Sequence, residues 1–276
     1  VSVSSSDDAH GPTDRGAKPQ RASRKQRVDQ LLVERGLAPS RERARALVLA
    51  GKIYVGEQRI EKAGDMVPLE AALMLRGEDL PYVSRGGVKL AGALDTLEVD
   101  PAGLVCADFG ASTGGFTDCL LQRGAARVYA IDVGHGQLHE KLVRDPRVVV
   151  RDRTNARHLD ASSLPEPIDL VVIDASFIGM EKLLPAAHAV LRAPTTERAG
   201  GRLLAMIKPQ FEVGPAHLKK GVVRDAAIRA AAIERVAEAA RELGFEVHAV
   251  RDSVLAGPDG NLEAFLWATR ARALAR

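Results

Sequence analysis

Cysteine is scarce in this chain of 276 residues: there are two, Cys106 and Cys119, and they share no metal-ligand spacing. A disulfide scaffold and a zinc framework are both unsupported, and the reducing cytoplasm is the expected home. No run of eighteen apolar residues exists, so nothing reads as a membrane span, and the N-terminal residues lack the apolar stretch of a signal peptide. Neither sign of charge dominates, since 39 Lys and Arg against 36 Asp and Glu leave +3. A global polycation is thereby excluded, and the informative asymmetry is local: basic residues concentrate before position 60. His135 and His139 have no second ligand cluster nearby and read as solvated on a surface helix, so no metal is expected. What remains is an ordinary globular composition, 46% hydrophobic and 27% charged, long enough for one large domain and one small one.

The chain is organised around residues 104–117, LVCADFGASTGGFT. Leu104 to Ala107 reads as a buried strand ending at Asp108, and Gly110, Gly114 and Gly115 open a turn into a helix from Phe116 to Leu121. Ser112 stands where a dinucleotide fingerprint needs glycine, and no lysine lies in the turn to make a phosphate loop. Asp-Phe-Gly-Ala-Ser-Thr-Gly-Gly-Phe instead resembles the first motif of S-adenosylmethionine-dependent methyltransferases. That resemblance implies the cofactor S-adenosylmethionine, with Asp108, Gly110, Ser112, Thr113, Gly114, Gly115 and Phe116 around it.

Residues 1–25 are polar and aperiodic and read as a disordered tail. A small α+β domain is expected over 26–80: a helix from Val28 ended by Gly36, a second from Arg41 to Ala50 capped by Ser40, a hairpin over 53–60 and a strand near Asp65 to Leu69. It resembles the RNA-binding domain named after ribosomal protein S4, and the resemblance implies structured RNA as partner. Arg27, Arg41, Arg43, Arg45 and Lys52 are its candidate phosphate contacts. Residues 81–90 read as a linker, with a helix from Val88 to Leu97 leading into a domain over 91–276.

There strands and helices alternate: strands at 127–132, 147–151, 168–174 and 202–208, a helix at 225–243, then strands 245–250 and 262–268 joined without a helix. An α/β, mostly parallel, Rossmann-like sheet with its last strand antiparallel is the expected fold, the methyltransferase version of the doubly wound sheet. Ligands of such sheets lie outside the carboxyl ends of the strands. Those ends carry Asp108, Asp132, Asp152 with Thr154 and Asn155, Asp174 and Lys208; Asp132 suits ribose hydroxyls, and Asp152 with Thr154 suits adenine.

The acceptor follows from what is missing. Carbon-5 methylation of a pyrimidine needs a cysteine at a strand end, and amine methylation commonly uses Asp/Asn-Pro-Pro-Tyr/Phe where this chain has Asp174-Ala-Ser-Phe. A ribose hydroxyl needs a base beside it, and Lys208 is the candidate. Lys89, Asp174, Lys208 and Glu263 stand where the Lys-Asp-Lys-Glu tetrad of FtsJ-like ribose methyltransferases would be. Together with the S4-type domain, Ser-Arg-Gly-Gly-Val-Lys-Leu around Arg85, Arg-Thr-Asn-Ala-Arg and Lys-Pro-Gln-Phe-Glu, the chain resembles the TlyA family over residues 26–270. The resemblance implies 2′-O-methylation of a cytidine in ribosomal RNA, Lys208 activating the hydroxyl, Arg85 joining the RNA contacts, and ribosomal subunits as partners. A monomer is the default expectation. The rival readings are a non-catalytic ribosome-assembly factor and, from the family's older name, a membrane-active haemolysin.

Overall fold

The structure, a computed structural model, describes residues 24–38, 40–49, 51–56, 58–75, 81–257 and 259–272. The tail expected over 1–25 lies outside them except for its last two residues, and Lys25 there opens a strand. The chain divides into two compact units, Val1–Asp79 and Leu80–Arg276.

The first unit carries β1 (Lys25–Arg27), α1 (Val28–Glu34), α2 (Arg41–Leu49), β2 (Ile53–Val55), β3 (Gln58–Arg59), β4 (Met66–Pro68) and β5 (Leu73–Leu75). β1 pairs with β4, and β2 lies between β3 and β5, all antiparallel. The apolar positions of the two helices, Val28, Leu31 and Leu32 with Ala44, Leu47 and Val48, close on Ile53 and Val67. A charge sits inside this small core. Asp29 is fully buried, and Arg27, Arg41 and Arg45 reach it at 3.0, 3.1 and 3.3 Å. The arginines outweigh the desolvation of the carboxyl and hold it well below the usual carboxylate range, Arg27 contributing most. Three of the arginines read as phosphate contacts are thus fixed from beneath by one carboxylate, while their side chains stay about half exposed. Arg43 lies on α2 and Lys52 just before β2.

The second unit runs α3 (Arg85–Thr96), β6 (Val105–Phe109), α4 (Gly115–Gln122), β7 (Arg127–Ile131), α5 (Glu140–Val143), β8 (Val148–Arg151), β9 (Leu170–Ile173), α6 (Leu184–Val190), β10 (Arg202–Ile207), α7 (Pro209–Glu212), α8 (Ala226–Glu242), β11 (Phe245–Asp252) and β12 (Ala264–Arg270). Seven strands form one sheet in the order β11-β12-β10-β9-β6-β7-β8. All neighbours among β10, β9, β6, β7 and β8 are parallel, and β12 is antiparallel to both β10 and β11. The expected α/β sheet with one reversed strand is the one observed.

Burial explains the sequence pattern. β9 is Leu-Val-Val-Ile with every residue buried, because one apolar core covers each face of the sheet. α8 is fixed at its start by Asp225, which accepts from the N–H groups of Ala227 and Ile228. The helix expected from Val88 begins at Arg85, so Lys89 sits a full turn inside it. His135 and His139 share no helix: the first lies in the loop after β7, and the second caps α5 by accepting from the N–H of Lys141. Among the described residues, no helix is long and apolar enough to cross a membrane and no group of three His, Cys, Asp or Glu is placed to hold a metal.

Candidate active site

Parallel strands point their carboxyl ends at one edge of the sheet, and there the glycine turn makes close approach possible. Gly110 follows β6 with φ +88°, and a Cβ there would stand 2.8 Å from the carbonyl oxygen of Asp174 and 3.1 Å from Cα of Ala175. Both obstacles are backbone, so only glycine lets β6 end against the end of β9. Gly115 opens α4 where a Cβ would lie 2.9 Å from the amide nitrogen of Gly87. Asp132, at the end of β7, accepts from the N–H of Ser112 (2.8 Å) and of Gly134 (2.7 Å), tying the turn to the next strand.

Asp108 is fully buried. One oxygen accepts from the Thr117 hydroxyl at 2.7 Å, and the other, Oδ1, has no hydrogen-bond partner among the described residues. Burial, reinforced by the nearby Asp174 and Asp132 carboxylates, pushes its pKa up to about 7 against the pull of Thr117. The folded state therefore binds more protons than the unfolded one between about pH 4 and 7, so stability falls as pH rises across that window. Asp108→Asn, which keeps an acceptor for Thr117, is expected to flatten this slope. Melting temperatures measured from pH 4.5 to 7.5 check it, and parallel curves for the two proteins would refute it.

Two cavities open at this edge, both within Leu80–Arg276. The first, about 510 Å³, is walled by Lys89, Phe116, Lys208, Gln210, Phe211 and Glu263. The second, about 530 Å³, is walled by Asp132, Val133, Thr154, Asn155, Ile178 and Leu183. They meet at Gly110, Ser112, Asp174, Ser176 and Phe177, which line both. Each volume is of the size that holds a small ligand.

In the first cavity two ion pairs come from four separate elements. Lys208, just past β10, reaches Asp174, just past β9, at 2.6 Å and donates to the Ser176 hydroxyl at 2.9 Å. Lys89 of α3 donates to Glu263, just before β12, and both side chains are buried. Burial raises the Asp174 pKa, against the attraction of Lys208 and Lys89. The residues aligned with a Lys-Asp-Lys-Glu tetrad in the sequence thus share one cavity wall.

Other predicted positions divide. Thr113, Gly115 and Phe116 line the first cavity, and Arg85 lines it too while donating to the carbonyl of Ala256. Gly114, at φ +95°, caps α4 and lines neither cavity, nor does Asp108. Asp152 also lines neither; its Oδ2 meets His135 Nδ1 at 2.9 Å and accepts from the N–H of Gly136 at 2.8 Å, while Thr154 and Asn155 face the second cavity. Phe177 was not anticipated. It is 89% exposed, holds φ +63°, and meets the Phe211 ring with centroids 5.0 Å apart. A bulky residue in left-handed backbone at a cavity mouth is an outlier that points to function, and only the lone aromatic after Asp-Ala-Ser hinted at it.

The FtsJ-like methyltransferase family matches residues 82–270 and the S4 domain matches residues 26–72. The chain is 44% identical over 247 residues to the 16S/23S rRNA (cytidine-2'-O)-methyltransferase TlyA of Mycobacterium tuberculosis, covering 89% of this chain and 90% of that one. It is 33% identical over 243 residues to Hemolysin A of Brachyspira hyodysenteriae, covering 86% and 97%. The solved structure of a candidate hemolysin from Streptococcus thermophilus matches with a TM-score of 0.69 at 37% identity, over 91% of this chain and 90% of that one. A glycine turn at the strand ends, two buried Lys-carboxylate pairs on one cavity and an S4 domain ahead of them therefore place this chain in the FtsJ-like methyltransferase family, among its S4-bearing TlyA members.

Proposed function

We propose that this methyltransferase uses S-adenosylmethionine to methylate the ribose 2′-hydroxyl of a cytidine in ribosomal RNA. The observation that carries the reading is the Lys208 side chain, buried on a cavity wall with its Nζ between Asp174 at 2.6 Å and Ser176 at 2.9 Å. The second cavity suits the cofactor's nucleoside: Val133, Ile178 and Leu183 give an apolar wall, and Asp132 presents a carboxylate toward a ribose diol. When bound, S-adenosylmethionine supplies a methyl group activated by a sulfonium. The protein's own work is acid–base and positional. In its amine form Lys208 takes the hydroxyl proton at Nζ, and Asp174 stabilises the ammonium so formed. Lys89 and Glu263, paired with each other, line the same cavity and would help hold the ribose in place. No covalent enzyme intermediate is required.

The exposed Phe177 ring, against the half-buried Phe211, offers a stacking platform for a base turned out of an RNA helix. Arg27, Arg41, Arg43, Arg45, Lys52 and Arg85 contact RNA phosphates in this reading, and a cytoplasmic monomer acting on ribosomal subunits is the form proposed. Phe177→Ala is expected to lower kcat/KM for RNA by about tenfold, a loss in the range of one base–aromatic stack. An unchanged kcat/KM in steady-state assays would remove Phe177 from the site.

The decisive test is transfer of label from S-adenosylmethionine to isolated ribosomal subunits, with the product mapped to a ribose oxygen by resistance to alkali. Label on a cytidine 2′-oxygen is expected. Tight RNA binding without any transfer would overturn the reading in favour of a ribosome-assembly factor.

A further inference from the structure

Between Glu212 and Asp225 the chain has no carboxylate side chain, yet it carries His217, Lys219, Lys220 and Arg224, all exposed. This strap leaves the cavity directly after Phe211. Its tip is a tight turn: the N–H of Lys219 donates to the carbonyl of Val222 at 3.0 Å, and that of Val222 back to Lys219 at 3.2 Å. The two residues at the tip, Lys220 and Gly221, hold φ +52° and +78°. Such a turn favours Asn, Asp or Gly at its first central position, because a longer side chain is strained in left-handed backbone. Lysine at position 220 is therefore not what folding alone selects.

The strap is held rather than loose. Asn261, fully buried, accepts from the N–H of Val223 at 3.0 Å and donates to the carbonyl of Gly221 at 3.0 Å. The same residue accepts from the N–H of Gly257 through its carbonyl, and it lies two positions before Glu263. Arg229 of α8 donates to the carbonyl of Leu262, fixing the loop from its other side. Asp225 caps α8 through Oδ1, and among the described residues Lys219, Lys220 and Arg224 form no ion pair with it or with any other carboxylate. A rigid, unneutralised cationic turn thus stands on the same loop framework as the Lys89–Glu263 pair.

We propose that this strap is a second RNA-binding surface, in which Lys219 and Lys220 contact backbone phosphates flanking the target nucleotide, and Asn261 positions them. The inference rests on the RNA methyltransferase reading above and adds to it a contact made by the catalytic unit itself. Phosphate contact by lysines appears as a salt dependence, because each neutralised phosphate releases condensed counterions.

The test uses the full chain carrying Lys219→Gln and Lys220→Asn, with transcripts of the small- and large-subunit ribosomal RNAs as probes. The slope of log affinity against log salt is expected to fall by about 1.5, so that over a fourfold rise in salt the wild type loses about eightfold more affinity than the variant. KM for RNA should rise by about tenfold while kcat stays within about twofold of wild type. Lys220→Asn alone should melt at or above the wild-type temperature, which separates lost contacts from lost folding. An unchanged salt slope with RNA affinity intact overturns the proposal, and so does failure of the wild type to bind either transcript. Because the slope is read from binding, wild-type RNA binding without methyl transfer sinks the functional reading alone, and the slope still decides for the strap.

Discussion

Lys208→Ala is expected to lower methyl transfer by about 10²- to 10⁴-fold, the usual contribution of a positioned general base. Affinity for S-adenosylmethionine should change little, because Lys208 lines the first cavity and not the second. Alanine alone leaves a doubt about mechanism, since it removes a charge along with a base. Lys208→Arg separates the two. A guanidinium keeps the positive charge and the partner that Asp174 requires, but it does not give up its proton at any working pH. If Lys208 acts as base, the arginine enzyme is as inactive as the alanine enzyme while still binding cofactor and RNA. If it acts by charge alone, arginine restores most of the rate. Single-turnover transfer to ribosomal subunits reads the difference, and an arginine enzyme with more than about a tenth of wild-type activity would end the general-base assignment.

The strand-end residues were legible because a parallel α/β sheet converts position in the chain into position in space. A polar residue after each apolar run of β7, β9 and β10 is sent to the same edge whatever the loops do, whereas Asp108, expected to end its strand, lies inside β6 and is buried. Asp132, Asp174 and Lys208 could be found this way without any coordinate. Asp152 satisfied the same rule but lines neither cavity, its Oδ2 meeting His135 and the N–H of Gly136. Those contacts join two loops whose approach no periodicity encodes. Lys89 and Glu263 are 174 positions apart and depend on how α3 packs beside β12, so they were visible only through family resemblance. Phe177 was missed for a different reason: its significance lies in a backbone torsion, and nothing in the letters Asp-Ala-Ser-Phe reports a left-handed φ. Asp29 was not singled out in the sequence, yet three arginines from β1 and α2 enclose it. The short strand β5 and the helices α5 and α6 carry too few residues to establish a period.

Lys89→Met should destabilise Leu80–Arg276 by about 3–5 kcal/mol, the largest stability effect expected from a single side chain here. The cause is less the lost attraction than what stays behind. Glu263 would remain buried without its ammonium, and a carboxylate in that position must either ionise unpaired or take up a proton. Removing both partners reverses the balance: Lys89→Met with Glu263→Leu buries apolar groups of similar size and should recover most of the loss. Trp267 is the single tryptophan and lies in β12, so its fluorescence during urea unfolding reports on the unit that holds the pair. Activity separates stability from function. If the pair only braced the fold, the double variant would regain methyl transfer along with its unfolding midpoint. Because Lys89 and Glu263 line the same cavity as Lys208 and Asp174, it is expected to regain the midpoint and stay inactive. Recovery of both would reduce the pair to a strut and leave Lys208 and Asp174 to account for the chemistry.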